Sequence, residues 1–485
     1  MGRRIVNNWI RRKPVGPAGE RRADALPPSL SWPQLMAMGV GAIIGTGILT
    51  LIGVGVDRAG PAVLISFAIA GAVCACAALA YAELSAMMPA AGSAYSYSYA
   101  GLGEIFAWIV GWSLILEYSL VVSTVAVGWS GYASPLLTGI GFPGALTRGP
   151  ELGGLINLPA VAIIAVVAGL LLLGTRESAR INSALVVVKI VTLLLFVGYA
   201  LPYFDAANLV PFMPYGYAAH VGDDGVQRGV MAAAAIIFFA FYGFDAISTA
   251  AEETKRPARD LPIAIVGSMA VCTLIYMLVA ATAVGATPFT GFADSPEPLA
   301  LILRSIGQGG IAQIVATTAV VALPTVLLAF LYGQSRIFLA MARDGFLPRR
   351  LAHISRRGTP TRITLLTAAI VAALAGLLPI GKVAALANAG TLIAFIAVGT
   401  CLLVLRRRAP DAPRPFRVRA VWLVGLGTIG GCLYLFLSLP FETLLWCLVW
   451  NAIGFGIYAV YGQRRSRLNG PDAGAETAPR PGSPA

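Results

Sequence analysis

Two stretches decide how this chain is built: GVGAIIGTGI at 39–48 and FFAFYGFDAIST at 238–249. Each lies inside an apolar block, and each carries glycine where an uninterrupted helix would be expected. The first holds Gly39, Gly41, Gly45 and Gly47; the second holds Gly243 two residues before an acid, Asp245. Glycine in an apolar helix also has a plainer use, letting two helices pack closely as in GxxxG, and Gly41 with Gly45 fits that spacing. Position separates the two readings. A bilayer core takes about 20 apolar residues per helix. Blocks of that kind fall at 34–56, 61–87, 105–133, 156–174, 181–201, 229–251, 262–286, 311–341, 362–380, 384–405, 420–438 and 442–462. The glycine stretches therefore sit in the first and the sixth of twelve spans. Five is odd, so a five-helix unit repeated once is inverted in the membrane. Interrupted helices at matching places of two inverted halves point to a transporter's binding site.

Composition agrees with lipid as the solvent. The 485 residues are 58% hydrophobic and 12% charged, with mean hydropathy +0.79, whereas a soluble domain carries roughly 25% charge. The net charge of +13 does not point to nucleic acid, because the basic residues cluster at the ends of apolar blocks. With the N-terminus in the cytoplasm, 28 of the 35 Lys and Arg fall in cytoplasmic segments. Only Arg58, Arg148, Arg228, Arg304 and Lys382 fall outside, and Lys189 and Arg336 lie within spans. That asymmetry fixes the orientation, with both termini cytoplasmic.

Cys74, Cys76, Cys272, Cys401, Cys432 and Cys447 all lie in apolar blocks with no CxxC, which argues against a disulfide framework or a zinc site. Residues 1–30 are basic and Pro-rich and read as a cytoplasmic tail without a signal peptide. Residues 464–485 are rich in Gly, Pro and Ala and read as a disordered cytoplasmic tail. The transporter domain is then 31–463, with repeats at about 34–201 and 229–405 and the last two helices outside them.

Four motifs carry a resemblance. GAIIGTGI (41–48), YAELSAMMPAAGSAYSYSYAGLGE (81–104), FFAFYGFDAISTAAEETKRPARDLPIAI (238–265) and LYGQSRIFLAMARDGFLP (331–348) together resemble amino acid permeases of the amino acid–polyamine–organocation superfamily. They are most similar to bacterial relatives of cationic amino acid transporters. The likeness covers about residues 31–460. It implies an all-α integral membrane protein with a five-plus-five inverted repeat (LeuT-type), discontinuous helices 1 and 6, and alternating access. The cell membrane is the expected location, a bacterial inner membrane by the kind of relative.

An amino acid offers a carboxylate and an ammonium one carbon apart, and a broken helix offers both complements. The outer half of the first span would expose N–H groups and a positive dipole end at Gly45, Thr46 and Gly47. Carbonyls near Ile43, and near Phe239, Ala240 and Tyr242, would accept from the ammonium. Thr46 has a second reading, back-bonding to a helix carbonyl. The aromatic run Phe239, Phe241, Tyr242 and Phe244 is mainly packing, but the resemblance suggests Phe239 or Tyr242 as a gate. Leu323 is expected to bound the side-chain pocket and to favour small or apolar substrates. Pro324 beside it stands where the family pattern leads one to expect Thr or Ser.

Ionisable groups at membrane depth are costly and default to function. Lys189 lies about nine residues into the fifth span, roughly 13 Å deep at 1.5 Å per residue. Its plainer reading is snorkelling to the interface. The resemblance gives a sharper one: a lysine here is characteristic of proton-coupled members, and sodium-coupled relatives of the same fold hold a cation in this region. Lys189 is thus expected beside the carbonyls of the first break, with proton coupling and no sodium dependence. Asp245 is expected to reach Thr46 across the breaks, and Glu117 to carry a proton or bridge helices. Glu83, Glu252 and Glu253 are expected to pair with basic loops at the inner ends.

Other classes fit less well. An enzyme would need convergent catalytic groups, and the only histidines, His220 and His353, lie in loops on opposite sides. A channel would show pore-lining carbonyl loops or charged rings. An amino acid exchanger and a non-transporting sensor remain on the same fold. The expected partners are an amino acid, protons and the bilayer, with no cofactor, metal or nucleic acid. An accessory subunit leaves no readable mark.

Overall fold

The computed structural model describes residues 10–14, 26–150, 153–222, 225–292, 295, 297–355, 357–377 and 380–469, with the side chains of 46, 135–136, 175–177, 380–385 and 469 left aside. Helices dominate it. The all-α expectation needs one small amendment: His220–Val221 and Gln227–Arg228 form a short antiparallel hairpin. Eight helical stretches are long and apolar enough to cross a membrane, from Leu51–Met87 to Phe441–Arg465. Three shorter apolar helices accompany them, Leu158–Leu173, Thr361–Leu377 and Val421–Leu437. The chain is a multi-pass membrane protein.

The first apolar block is not one helix. Trp32–Ile43 begins where the Gln34 side-chain oxygen accepts from the Ser31 N–H at 2.9 Å and the Ser31 hydroxyl at 2.5 Å. Gln34 thereby satisfies a donor that a helix start leaves free. The helix stops at Ile44, whose backbone turns extended at ψ 99°. It resumes as Thr46–Leu49, and again as Leu51–Ala59 after a step at Thr50. The sixth block breaks as well. Val230–Phe241 ends at an extended Tyr242 (ψ 165°), Gly243 takes φ +119°, and Asp245–Thr249 continues. Only glycine holds that φ without strain.

The glycines explain how the breaks meet. A Cβ on Gly243 would lie 2.9 Å from Ala42 Cβ and 3.0 Å from the Ala42 carbonyl carbon. One on Gly47 would lie 2.4 Å from Ala240 Cα. Each break thus uses a glycine to touch the backbone of the other. Gly41 and Gly45 face different neighbours, Asn182 with Val186 and Val326 respectively. They do not form one GxxxG seam.

Around this crossing, Pro257–Ala286 packs on Val63–Met87 and Trp32–Ile43, while Ile380–Arg408 packs on Glu104–Gly139 and Val421–Leu437. Thr175–Ala200 lies against Trp32–Ile43 and Gly309–Ala322. The eighth block is two helices, Gly309–Ala322 and Pro324–Arg343, joined at Leu323. All six cysteines are free, five of them buried.

The expected tails are partly structured. Ser29 and Leu30 donate backbone N–H bonds to the Glu253 carbonyl at 2.8 and 2.9 Å, and Lys255 N–H returns one to Leu30 at 2.9 Å. Beyond residue 464 the Ser466 hydroxyl donates to Glu104 at 2.8 Å and Arg467 N–H to the Asp344 carbonyl at 3.0 Å. The boundary expected at 464 therefore falls inside bonded chain, and residues 470–485 lie outside the described part.

Candidate functional site

The break in the first span leaves carbonyls that a continuous helix would have used. Lys189, buried on Thr175–Ala200, claims two of them. Its ammonium donates to the Gly41 carbonyl at 3.0 Å and to the Ile44 carbonyl in a shorter bond. The side chain points to the break and does not snorkel. About two turns away on the same helix, Asn182 donates to the Ala37 carbonyl at 3.1 Å. The Thr325 hydroxyl also reaches the Gly41 carbonyl, at 3.1 Å.

Tyr276 joins the two breaks. Its hydroxyl donates to the Ile43 carbonyl at 2.6 Å and reaches the Ala240 carbonyl at 3.1 Å. These are two of the carbonyls expected to accept a substrate ammonium. Each keeps a second lone pair, so the tyrosine shares them. Tyr276 and Thr325 carried no signal in the sequence, being single hydroxyls in long apolar runs.

Asp245 caps the break in the sixth span. It accepts from the Gly243 N–H at 3.1 Å and from the Tyr118 hydroxyl at 2.5 Å. Its expected partner, the Thr46 side chain, lies outside the described residues. Glu117, adjacent to Tyr118, is wholly buried beside the Thr391 hydroxyl, and neither of its carboxylate oxygens makes a hydrogen bond of normal geometry to a described residue. Gly390 passes so close that a Cβ there would be 2.9 Å from Glu117 Cβ. The Tyr242 hydroxyl is likewise buried and unpartnered. Its ring meets Phe239 edge-on at 4.9 Å and Phe330 at 5.8 Å. Buried polar atoms nearly always find a partner, and among the described residues the Glu117 carboxylate and the Tyr242 hydroxyl find none of normal geometry.

Leu323 is fully buried at the joint of the eighth block. The side chain that packs on Gly45 is Val326, three residues on. Phe239 is buried beside the second break.

Below the breaks, at the end that carries the N-terminal segment, the acids pair closely. Arg336 donates to both Glu253 oxygens at 3.0 Å and stacks over the Tyr332 ring at 3.6 Å. Tyr332 itself donates to Glu253. Glu252 pairs with Arg343 at 2.9 Å, and Glu83 with Arg406 at 2.6 Å and Arg414 at 3.3 Å. The partner of Glu253 is not in a basic loop but in the helix Pro324–Arg343, and the pair is almost entirely buried.

Comparison with known proteins fits this geometry. A family profile described as amino acid permease matches residues 30–454. The chain is 45% identical to the branched-chain amino acid permease BcaP of Bacillus subtilis, over 90% of this chain and 93% of that one. It is 39% identical to the methylthioribose transporter of the same organism, over 96% and 100%. It is 36% identical to the vacuolar cationic amino acid transporter 4 of Arabidopsis thaliana, over 84% and 68%. With broken helices crossing at their glycines and a match over nearly the whole chain, the protein belongs to the amino acid permease family of the amino acid–polyamine–organocation superfamily.

Proposed function

We propose that this permease is a secondary active transporter that imports amino acids by alternating access, coupled to protons and independent of sodium. In this reading it has twelve spans in a five-plus-five inverted repeat, with discontinuous helices 1 and 6, and sits in a cell membrane with both termini cytoplasmic. The substrate carboxylate meets the N–H groups of Gly45, Thr46 and Gly47. The ammonium takes the free lone pairs of the Ile43 and Ala240 carbonyls, with Phe239 and Tyr242 closing over it. Leu323 and Val326 make the side-chain wall apolar, and the 45% identity to a branched-chain permease supports leucine-like substrates.

The observation that most supports coupling is Lys189 on the Gly41 and Ile44 carbonyls. An ammonium there does what a bound metal cation would do, but it can leave as a proton. Loss of the proton removes the charge that strengthens both carbonyl bonds, since the neutral amine keeps only two weaker donors, and this frees the lower half of the first span to move. Asp245 and Glu117 supply further proton-accepting groups next to the second break. At the inner end, the Glu253–Arg336 pair must open for release.

Uptake of radiolabelled leucine into proteoliposomes tests this. An inward proton gradient is expected to drive accumulation with choline in place of sodium, and Lys189→Ala to abolish it. Full proton-driven accumulation by that variant would sink the coupling role. Trans-stimulation without net proton flux would instead make the protein an exchanger. Competition by methylthioribose, suggested by the 39% relative, would move the substrate class.

A further inference from the structure

A cavity of about 680 Å³ lies away from the transport site, between the loop that follows Pro324–Arg343 and the end of the last helix. Its lining includes Arg349, Arg350, Arg465, Tyr461 and Leu347. Three arginines lining one cavity concentrate positive charge that an anion there would meet. None of the three forms an ion pair with a described residue. The nearest acid in sequence, Asp344, is already taken by Lys13 at 2.5 Å and by the Tyr95 hydroxyl at 2.6 Å.

The backbone builds this cavity. The last helix changes to a π-turn at Tyr458–Gly462, a distortion that often marks function. Tyr458 turns inward and donates to Glu104 at 2.9 Å. Tyr461 and Arg465 remain at the cavity, with the Arg465 guanidinium 5.4 Å from the Tyr461 ring centre. Gly345, at φ +88°, lets the loop pass under the last helix, since a Cβ there would sit 2.2 Å from the Arg465 carbonyl. Arg362 holds the loop from the other side by donating to the Arg350 carbonyl at 3.0 Å.

The cavity also lies at the ends of two candidate membrane spans. Both Gly309–Arg343 and Phe441–Arg465 are stretches able to cross a membrane, and both end beside it. Over roughly the three turns before Arg465 along the last helix, Ile453, Ile457 and Val460 are exposed apolar residues. Cationic side chains at a helix end, with an apolar flank leading away from them, match a phospholipid: phosphate in the cavity and acyl chains along the helix. Basic pockets at the cytoplasmic ends of membrane helices are suited to anionic headgroups, and arginine binds phosphate through two parallel N–H donors.

We infer that the cavity lined by Arg349, Arg350, Tyr461 and Arg465 is a binding site for the phosphate headgroup of an anionic phospholipid. Bound there, the lipid joins the loop after the eighth block to the last helix.

Native mass spectrometry of the full-length protein, with phosphatidylglycerol titrated against phosphatidylcholine, tests the site. The wild type is expected to retain phosphatidylglycerol preferentially. A variant carrying Arg349→Gln, Arg350→Gln and Arg465→Gln is expected to bind it roughly tenfold more weakly. A charge-matched control, Arg408→Gln, Arg417→Gln and Arg419→Gln, should bind as the wild type does. Equal loss in both variants would overturn the site, leaving only general electrostatic attraction. Thermal unfolding in detergent separates lipid from free anion. Phosphatidylglycerol should raise the wild-type Tm but not that of the cavity variant, and an equal rise with inorganic phosphate would overturn the lipid assignment. Because the three arginines are exposed, the variant should fold. If it does not, Arg465→Lys against Arg465→Gln decides: lysine keeping most of the binding supports the site, and equal binding by the two overturns it.

Discussion

Lys189 and Arg336 are both buried cations, and the protein treats them in opposite ways. Arg336 is met by a full countercharge, with two hydrogen bonds to Glu253 and an aromatic ring over its face. Lys189 is met by two carbonyl dipoles and, among the described residues, by no carboxylate. A guanidinium does not titrate in proteins, whereas an amine can. The pair at the inner end therefore changes only by separating. The lysine at the break can change by losing a proton in place. One is suited to a bolt and the other to a switch.

The largest effect expected from breaking this contrast is at the bolt. Arg336→Ala leaves Glu253 charged and buried without its partner, a change that costs about 3–5 kcal/mol. A large fall in Tm by fluorescence unfolding should report it. The double variant Arg336→Met with Glu253→Gln should recover most of that loss, because neither uncompensated charge remains. If the single and double variants are equally unstable, the pair is not the source of the stability.

Next in size is an exchange of roles at the switch. Lys189→Arg keeps a donor and a charge near the Gly41 and Ile44 carbonyls but removes the titrating amine. The protein should still bind leucine, as read by ligand-induced thermal stabilisation, while proton-driven uptake falls to background. Robust uptake by this variant would mean that a fixed charge suffices.

The smallest effect is at Tyr276. Removing its hydroxyl deletes one donor shared by the Ile43 and Ala240 carbonyls, worth about 0.5–1.5 kcal/mol in a typical case. Tyr276→Phe should lower stability slightly and return those carbonyls to the substrate. Leucine affinity measured by scintillation proximity is expected to stay level or improve. A large loss of affinity would show that the tyrosine itself contacts the ligand.

Much of this was legible because the bilayer imposes strong rules. Apolar length gave the helices, and odd spacing gave the pairing of GVGAIIGTGI with FFAFYGFDAIST. An ammonium at the depth of Lys189 is costly, but its place at the first break was implied by the family resemblance, since snorkelling was open to it as well. The polar partners were not legible. Tyr276 and Ile43 are 233 positions apart, and one hydroxyl in an apolar helix looks like any other until the helices are packed. Glu253 was read as a loop partner because acids at a helix end usually face water. Its true partner, Arg336, stood inside an apolar span, where charge is explained only by what faces it. The expected contact of Asp245 with Thr46 falls on a side chain outside the described residues; the bond Asp245 accepts from Gly243 N–H is a local preference that the residue type alone suggests for aspartate.

The crossing of the two broken helices has a consequence for how such proteins diversify. At Gly243 against Ala42 and at Gly47 against Ala240, a glycine rests on the main chain and the small Cβ of an alanine. Substitution has almost no variable to act on there. On the proposed function, a lineage acquiring a new cargo would leave this floor alone and rebuild the walls, at positions such as Glu117, Tyr242, Leu323 and Val326.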